Sequence, residues 1–165
     1  MVRFLLNICV SPNKRKYSQA FTTVEMLIGL SVFVLIASIT INTGLAFIDK
    51  IRARTVISDL KAIQIEVDKF YKASGSYPDS LDEIYTSPQT DPWNTAYQYL
   101  RIKGGPPNVT GKQRKYKSLK VNTSYDLYSM GLDQETASPL TASISKDDII
   151  RGRNGDFLGY VTDFQ

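Results

Sequence analysis

Of the side chains that carry most protein chemistry, this sequence lacks the commonest. It has no histidine, and its one cysteine, Cys9, lies near the N-terminus. Zinc ligand sets, a disulfide framework and thiolate catalysis are therefore excluded over residues 21–165. Serines, lysines and acids are present, but no nucleophile and base stand at a recognisable spacing, so an enzyme is not expected. What stands out is a carboxylate, Glu25, inside "QAFTTVEMLIGLSVF" (19–33), because the run that follows it from Met26 to Ile48 holds no charged residue. A carboxylate costs about 2.5–3.5 kcal/mol at the centre of a membrane helix and less near the interface. Such an acid persists where it meets a cation, or where it caps a helix N-terminus and negative charge is favourable. The local sequence leaves both readings open. A second cluster, Lys112, Arg114, Lys115, Lys117 and Lys120 around Tyr116, could meet phosphate or anionic lipid. The reading favoured here is the solvated edge of a hairpin, its charges discouraging edge-to-edge pairing.

The elements that would position these groups follow from charge and periodicity. The net charge of +4 is accounted for by Arg3, Lys14, Arg15 and Lys16, since the first twenty residues hold no acid. The basicity belongs to a leader, and no nucleic-acid partner is expected. Met26 to Ile48 would span about 35 Å as a helix, against a hydrocarbon core of roughly 30 Å. It is too long for the core of a secretory signal, and the basic leader favours a cytoplasmic N-terminus. Beyond it, Val56, Ile57, Leu60, Ile63, Val67, Phe70 and Tyr71 recur at steps of three and four, the stripe of an amphipathic helix. No proline or glycine intervenes after Gly44, so one helix is expected from about Phe21 to Ser74, ended by Gly75 and Pro78. Ser80-Leu-Asp-Glu83 has capping-box spacing for a short helix.

After residue 90 the texture changes. "AYQYLRI" (96–102), "KYKSLKV" (115–121), "SYDLYSM" (124–130) and "FLGYVTDF" (157–164) read as strands, with Gly104-Gly105-Pro106-Pro107 as a turn and 134–150 as a loop. The expected fold class is α+β: a long N-terminal helix, membrane-spanning in its first half and amphipathic in its second, packed on a small antiparallel sheet. The expected organisation is a leader (1–20), a transmembrane helix (21–48) and a globular domain (49–165).

"AFTTVEMLIGLSVFVLIASITI" resembles the class III signal of type IV prepilins and type II secretion pseudopilins. In those families a prepilin peptidase cuts before a phenylalanine and leaves the apolar helix in place. Thr22, Val24 and Glu25 match the pattern after that phenylalanine, and Ala20 stands where the families carry glycine. "SGSYPDSLDEI" (74–84), "DPWNTAYQYL" (91–100) and "YDLYSMGLD" (125–133) are similar, in that order, to the tail of the major, G-type pseudopilin. The apolar helix has no proline, which family members commonly carry, and the glycine-rich acidic loop after the last tract is replaced by "QETASPLTASISKDDII" (134–150).

The resemblance implies a pilin-like structural subunit. Its leader is removed between Ala20 and Phe21, the new N-terminus is methylated, and the chain passes from the inner membrane into a periplasmic pseudopilus that drives protein secretion. The implied partners are further copies of the chain, the prepilin peptidase, minor pseudopilins, an assembly platform protein and an assembly ATPase. Glu25 would then set the register of the filament against the amine of a neighbour. The family also binds calcium in the replaced loop. Asp133 matches one ligand of that site, with Asp148 as a second and Asp147 as its alternative. Two other readings of the same architecture stand beside this one: a type IV pilus subunit for adhesion, motility or DNA uptake, and a single-pass membrane protein with a ligand-binding periplasmic domain.

Overall fold

The computed structural model describes residues 21–164, with the side chains of residues 39–46, 108 and 110 outside the description. One helix, α1, runs over Thr23–Ser74. It starts where Thr22 takes the N-cap position, Met26 donating the first helical hydrogen bond to the Thr22 carbonyl at 3.1 Å. It stops at Gly75, whose φ of +78° is the left-handed conformation that glycine adopts without a Cβ penalty. The Gly75 amide returns to the Tyr71 carbonyl at 2.8 Å. The expected boundaries hold to within two residues.

The chain divides into two units, one up to Thr43 and one from Gly44 onward. In the first, the described side chains from Phe21 to Ser38 are almost all exposed. The helix over Thr23–Ser38 covers about 24 Å at 1.5 Å per residue. Among the described residues no helix is long and apolar enough to cross a membrane. The expected span from Met26 to Ile48 runs through residues 39–46, whose side chains lie outside the description.

In the second unit the helix presents Ala53, Val56, Leu60, Ile63 and Val67 to Tyr97, Tyr125, Leu127 and Ile149, all buried. Burying each of the larger aliphatic side chains stabilises the fold by roughly 1.5–3 kcal/mol. The opposing surface is a four-stranded antiparallel sheet made of β1 (Gln98–Arg101), β4 (Tyr125–Ser129), β5 (Ile149–Gly152) and β6 (Phe157–Tyr160), in the spatial order β1-β4-β5-β6. Tyr99 stands opposite Leu127, Tyr128 opposite Ile150, and Ile150 opposite Gly159. Side chains alternate across the pleat, so Ile149 faces the helix while Ile150 faces a second core of Val121, Leu140, Val161 and Phe164.

The architecture is α+β, as expected, and four local expectations need correction. Residues 157–164 are not one strand, since β6 ends at Tyr160 and Val161–Asp163 forms a 3₁₀ turn. Residues 115–121 are not one strand. They form a separate hairpin of β2 (Lys115–Tyr116) and β3 (Leu119–Lys120), because Lys117 and Ser118 both take positive φ, 46° and 68°, the backbone of a two-residue hairpin turn. Residues 134–150 are not loop to their end, since β5 begins at Ile149 and occupies the interior of the sheet. The short helix after Pro78 is a 3₁₀ turn, Leu81–Glu83. Ser80 caps it through the Asp82 amide at 3.2 Å, but Glu83 returns to the Asp79 amide at 2.8 Å, one residue earlier than a capping box requires.

Candidate functional site

At the tip of α1, Thr22 and Glu25 form a capping box. The Glu25 amide donates to Thr22 Oγ1 at 3.2 Å, and Glu25 Oε2 accepts from the Thr22 amide and hydroxyl, each at 2.9 Å. Two N–H groups that the helix cannot satisfy internally are thereby bonded. Both Thr22 donors use Oε2, so Oε1 has no partner among the described residues. Phe21, 81% exposed, stands immediately before this cap. With Met26, Leu27, Leu30 and Phe33 it lines an open apolar groove that also reaches Glu25. The arrangement can hold a cation beside the carboxylate while apolar surface is covered around it. Ala20, the expected partner of Phe21 in processing, lies outside the described residues.

The second candidate region is the segment that ends β4 and returns to β5. Here the structure places the three acids expected to bind calcium against different partners. Asp133 Oδ1 accepts from the Glu135 amide at 2.9 Å. Asp147 Oδ2 accepts from the amides of Leu132 at 2.9 Å and Asp133 at 3.1 Å. Gly131, at φ +70°, permits that approach, for a Cβ there would come within 2.5 Å of the Asp147 carbonyl and carboxylate oxygens. Asp148 is fully buried. Its Oδ2 accepts from the Thr136 hydroxyl at 2.6 Å and faces Arg114 Nη2 at 3.4 Å.

Calcium takes six to eight oxygens at 2.3–2.6 Å. Among the described residues no group of three or more acidic, histidine or cysteine side chains is placed to hold a metal ion. One oxygen of each of the three carboxylates accepts from an amide or a hydroxyl, and Asp148 also faces a guanidinium, whose positive charge would repel a divalent cation at the same carboxylate. These residues do not fit a calcium shell.

Arg114 itself was expected on a solvated hairpin edge, and the structure corrects this, since the residue is 3% exposed. Its guanidinium lies over the Tyr128 ring at 3.7 Å and bonds the Ala137 carbonyl and the Thr136 hydroxyl. The other members of the cluster are less buried, which fits the expected edge. A second buried arginine, Arg151, had no sequence signal beyond its place next to two isoleucines. It lies over the Tyr125 ring at 3.9 Å and donates to Gln64 Oε1 of α1 at 3.1 Å, the Tyr125 carbonyl at 3.1 Å and the Asn154 carbonyl at 2.6 Å. Both charges therefore rest on tyrosine faces of β4, a favourable arrangement for a desolvated cation.

Trp93 packs against the first core. Asp91, in the same Asp-Pro-Trp tract, is buried. It accepts from the Trp93 and Thr95 amides at 3.0 and 2.9 Å and from the Ser129 hydroxyl at 2.6 Å. The tyrosines around the helix are similarly tied. Tyr97 donates to Asp59 at 2.8 Å and Tyr99 to the Pro78 carbonyl at 3.0 Å, and burial raises both phenols above the ordinary tyrosine value.

Against known proteins, the family model for type II secretion system (T2SS), protein G matches residues 45–147. No curated protein and no solved structure matches the chain.

Proposed function

The chain belongs to the type II secretion system protein G family, a family of structural pseudopilus subunits, and from that membership we propose that it is a major pseudopilin processed at Phe21 and polymerised through its N-terminal helix. In this reading a prepilin peptidase cuts between Ala20 and Phe21. The new α-ammonium lies four residues before Glu25, in an apolar segment that anchors the subunit in the inner membrane. As subunits stack in the periplasm, the amine of one meets the Glu25 carboxylate of another. Each charge is then partnered only in the correct axial register. An assembly ATPase and a platform protein drive the addition of subunits, and minor pseudopilins complete the filament.

The observation that supports this most is the helix tip. A capping box starts the helix directly after Phe21, leaves one carboxylate oxygen of Glu25 open, and presents exposed apolar side chains from Val24 to Ile36 that a monomer in water would have no reason to keep. Mass spectrometry of the membrane-extracted protein tests the reading. A mature N-terminus at Phe21, with loss of extracellular cargo in a deletion strain, is expected. An intact leader on chains that still support secretion would sink it.

A further inference from the structure

The segment between Asp133 and Asp148 is longer than a turn and holds only one fully buried apolar side chain, Leu140 at 2% exposure. Something else must order it. Its first part runs beside residues 113–115: the Lys115 amide donates to the Ser138 carbonyl at 3.1 Å, the Leu140 amide to the Lys115 carbonyl at 2.8 Å, and the Ser138 hydroxyl to the Gln113 carbonyl at 2.6 Å. Its later part folds back through buried Ser145, whose hydroxyl bonds the amide and carbonyl of Ala137 at 3.0 and 3.2 Å. Arg114 projects between the two parts. One guanidinium reaches Thr136, Ala137 and Asp148 together, from a base plane formed by Tyr128.

We propose that the Arg114 guanidinium is the built-in cation of this segment, tying Thr136, Ala137 and Asp148 to the sheet, so that the domain is ordered without a divalent metal. The physical case rests on shape and on occupancy. A guanidinium is planar, always charged and weakly hydrated, so it can lie flat on an aromatic ring while its edge bonds a carbonyl, a hydroxyl and a carboxylate. Its position beside Asp148 places a positive charge at the one fully buried acid that a metal would need. Asp148 Oδ1 and Arg114 Nε have no hydrogen-bond partner among the described residues. The contact is therefore a single edge of each group rather than a closed two-bond fork, and Thr136 supplies the shorter bond to the carboxylate.

Thermal unfolding of the full chain in detergent, followed by Trp93 fluorescence, tests this. Wild type is dialysed against chelator and then given millimolar calcium chloride, and its Tm is expected to stay the same. Arg114→Ala is expected to lower Tm by roughly 10 °C, since it leaves a buried carboxylate without its cation. Millimolar guanidinium chloride should recover part of that loss in the variant while leaving wild type unchanged, and calcium chloride should recover none. A wild type stabilised by several degrees in calcium, an Arg114→Ala chain as stable as wild type, or rescue by calcium in place of guanidinium would each overturn the proposal. If Arg114→Ala does not fold, Arg114→Lys carries the test. It keeps the charge but not the planar edge, so a smaller loss is expected, and a Tm equal to wild type would show that the guanidinium shape has no part in it.

Discussion

Asp91 and Ser129, 38 residues apart in sequence, share a buried hydrogen bond of 2.6 Å. This bond joins the Asp-Pro-Trp turn to the last residue of β4. The same carboxylate holds the turn through the Trp93 and Thr95 amides, and the same hydroxyl accepts from the Gly131 amide at 3.2 Å. Two of the three distal tracts that carry the family resemblance, 91–100 and 125–133, are thus one hydrogen-bonded unit. Ser129→Ala is expected to cost about 1–3 kcal/mol, because it strands a buried carboxylate oxygen and the Gly131 amide. Asp91→Ala should cost more, since three donors lose their acceptor. Denaturant unfolding of both singles and the double should give a coupling of about 0.5–3 kcal/mol. Strict additivity would mean that the bond carries no energy.

The helix stripe makes a sharper pair. Leu60 is fully buried against the sheet while Ile65, on the same helix, is about half exposed. Leu60→Ala should lose roughly 2–5 kcal/mol and Ile65→Ala less than about 0.5 kcal/mol. Equal effects in equilibrium unfolding would mean that the wrong face has been assigned to the core.

Arg151 is the other place where the fold depends on one charge. It has no carboxylate within salt-bridge distance among the described residues, only neutral oxygens and the Tyr125 ring, and Gln64 of α1 is one of its acceptors. Arg151→Met fills similar volume but strands those oxygens, and a loss of about 3 kcal/mol is expected. The neighbouring Gly155→Ala should also destabilise, because φ is +110° there and a Cβ would meet the Gln64 side chain. Unfolding midpoints in urea decide both, and a neutral Gly155→Ala would count against the close approach of Gln64.

How much of this was legible beforehand depends on the range over which each signal acts. The helix was legible because its cues are local: an uninterrupted apolar run and stripe, no proline or glycine after Gly44, and Gly75 at the end. β5 was not, since "IIRG" is four residues long, follows two aspartates and reads as the end of a polar loop. Its burial comes from β4 and β6 on either side. The turn at Lys117-Ser118 was hidden because neither residue is the glycine or asparagine that usually marks positive φ. Arg114 was misread for the same kind of reason, since a basic cluster shows its sign in sequence but not which member turns inward. Glu25 was half legible. Its place at a helix N-terminus could be read, while Thr22 as its capping partner and any partner on another chain were not.

Burial pushes the Asp148 carboxyl up to about 6 from an ordinary 3.8, outweighing the Thr136 hydroxyl, the Arg114 charge and the Ser145 hydroxyl, with nearby Asp147 acting in the same direction as burial. An acid with a raised folded value binds more protons folded than unfolded between those two pH values, so stability falls as pH rises through that window. This contribution is fully present below about pH 4 and gone above about pH 6. The difference in unfolding free energy between wild type and Asp148→Asn should therefore shrink or reverse as pH rises from 4 to 6 and stay flat beyond. A difference independent of pH would mean that the carboxyl titrates at its ordinary value.

Thr22 and Glu25 allow the two roles of the glutamate to be separated. Glutamine at the third helical position still closes a capping box, so Glu25→Gln keeps the cap and removes only the charge. Thr22→Val does the opposite, removing the hydroxyl that bonds Glu25 and leaving the carboxylate. If Glu25 serves the filament by meeting an amine on a neighbour, Glu25→Gln should insert into the membrane normally yet fail to assemble. The loss of about 3–5 kcal/mol per buried pair corresponds to a drop of two orders of magnitude or more in subunit affinity. Thr22→Val should assemble, at the cost of about 1 kcal/mol in helix stability. Electron microscopy of filaments from overproducing cells reads the outcome. Filaments from Glu25→Gln together with none from Thr22→Val would make Glu25 a cap and nothing more.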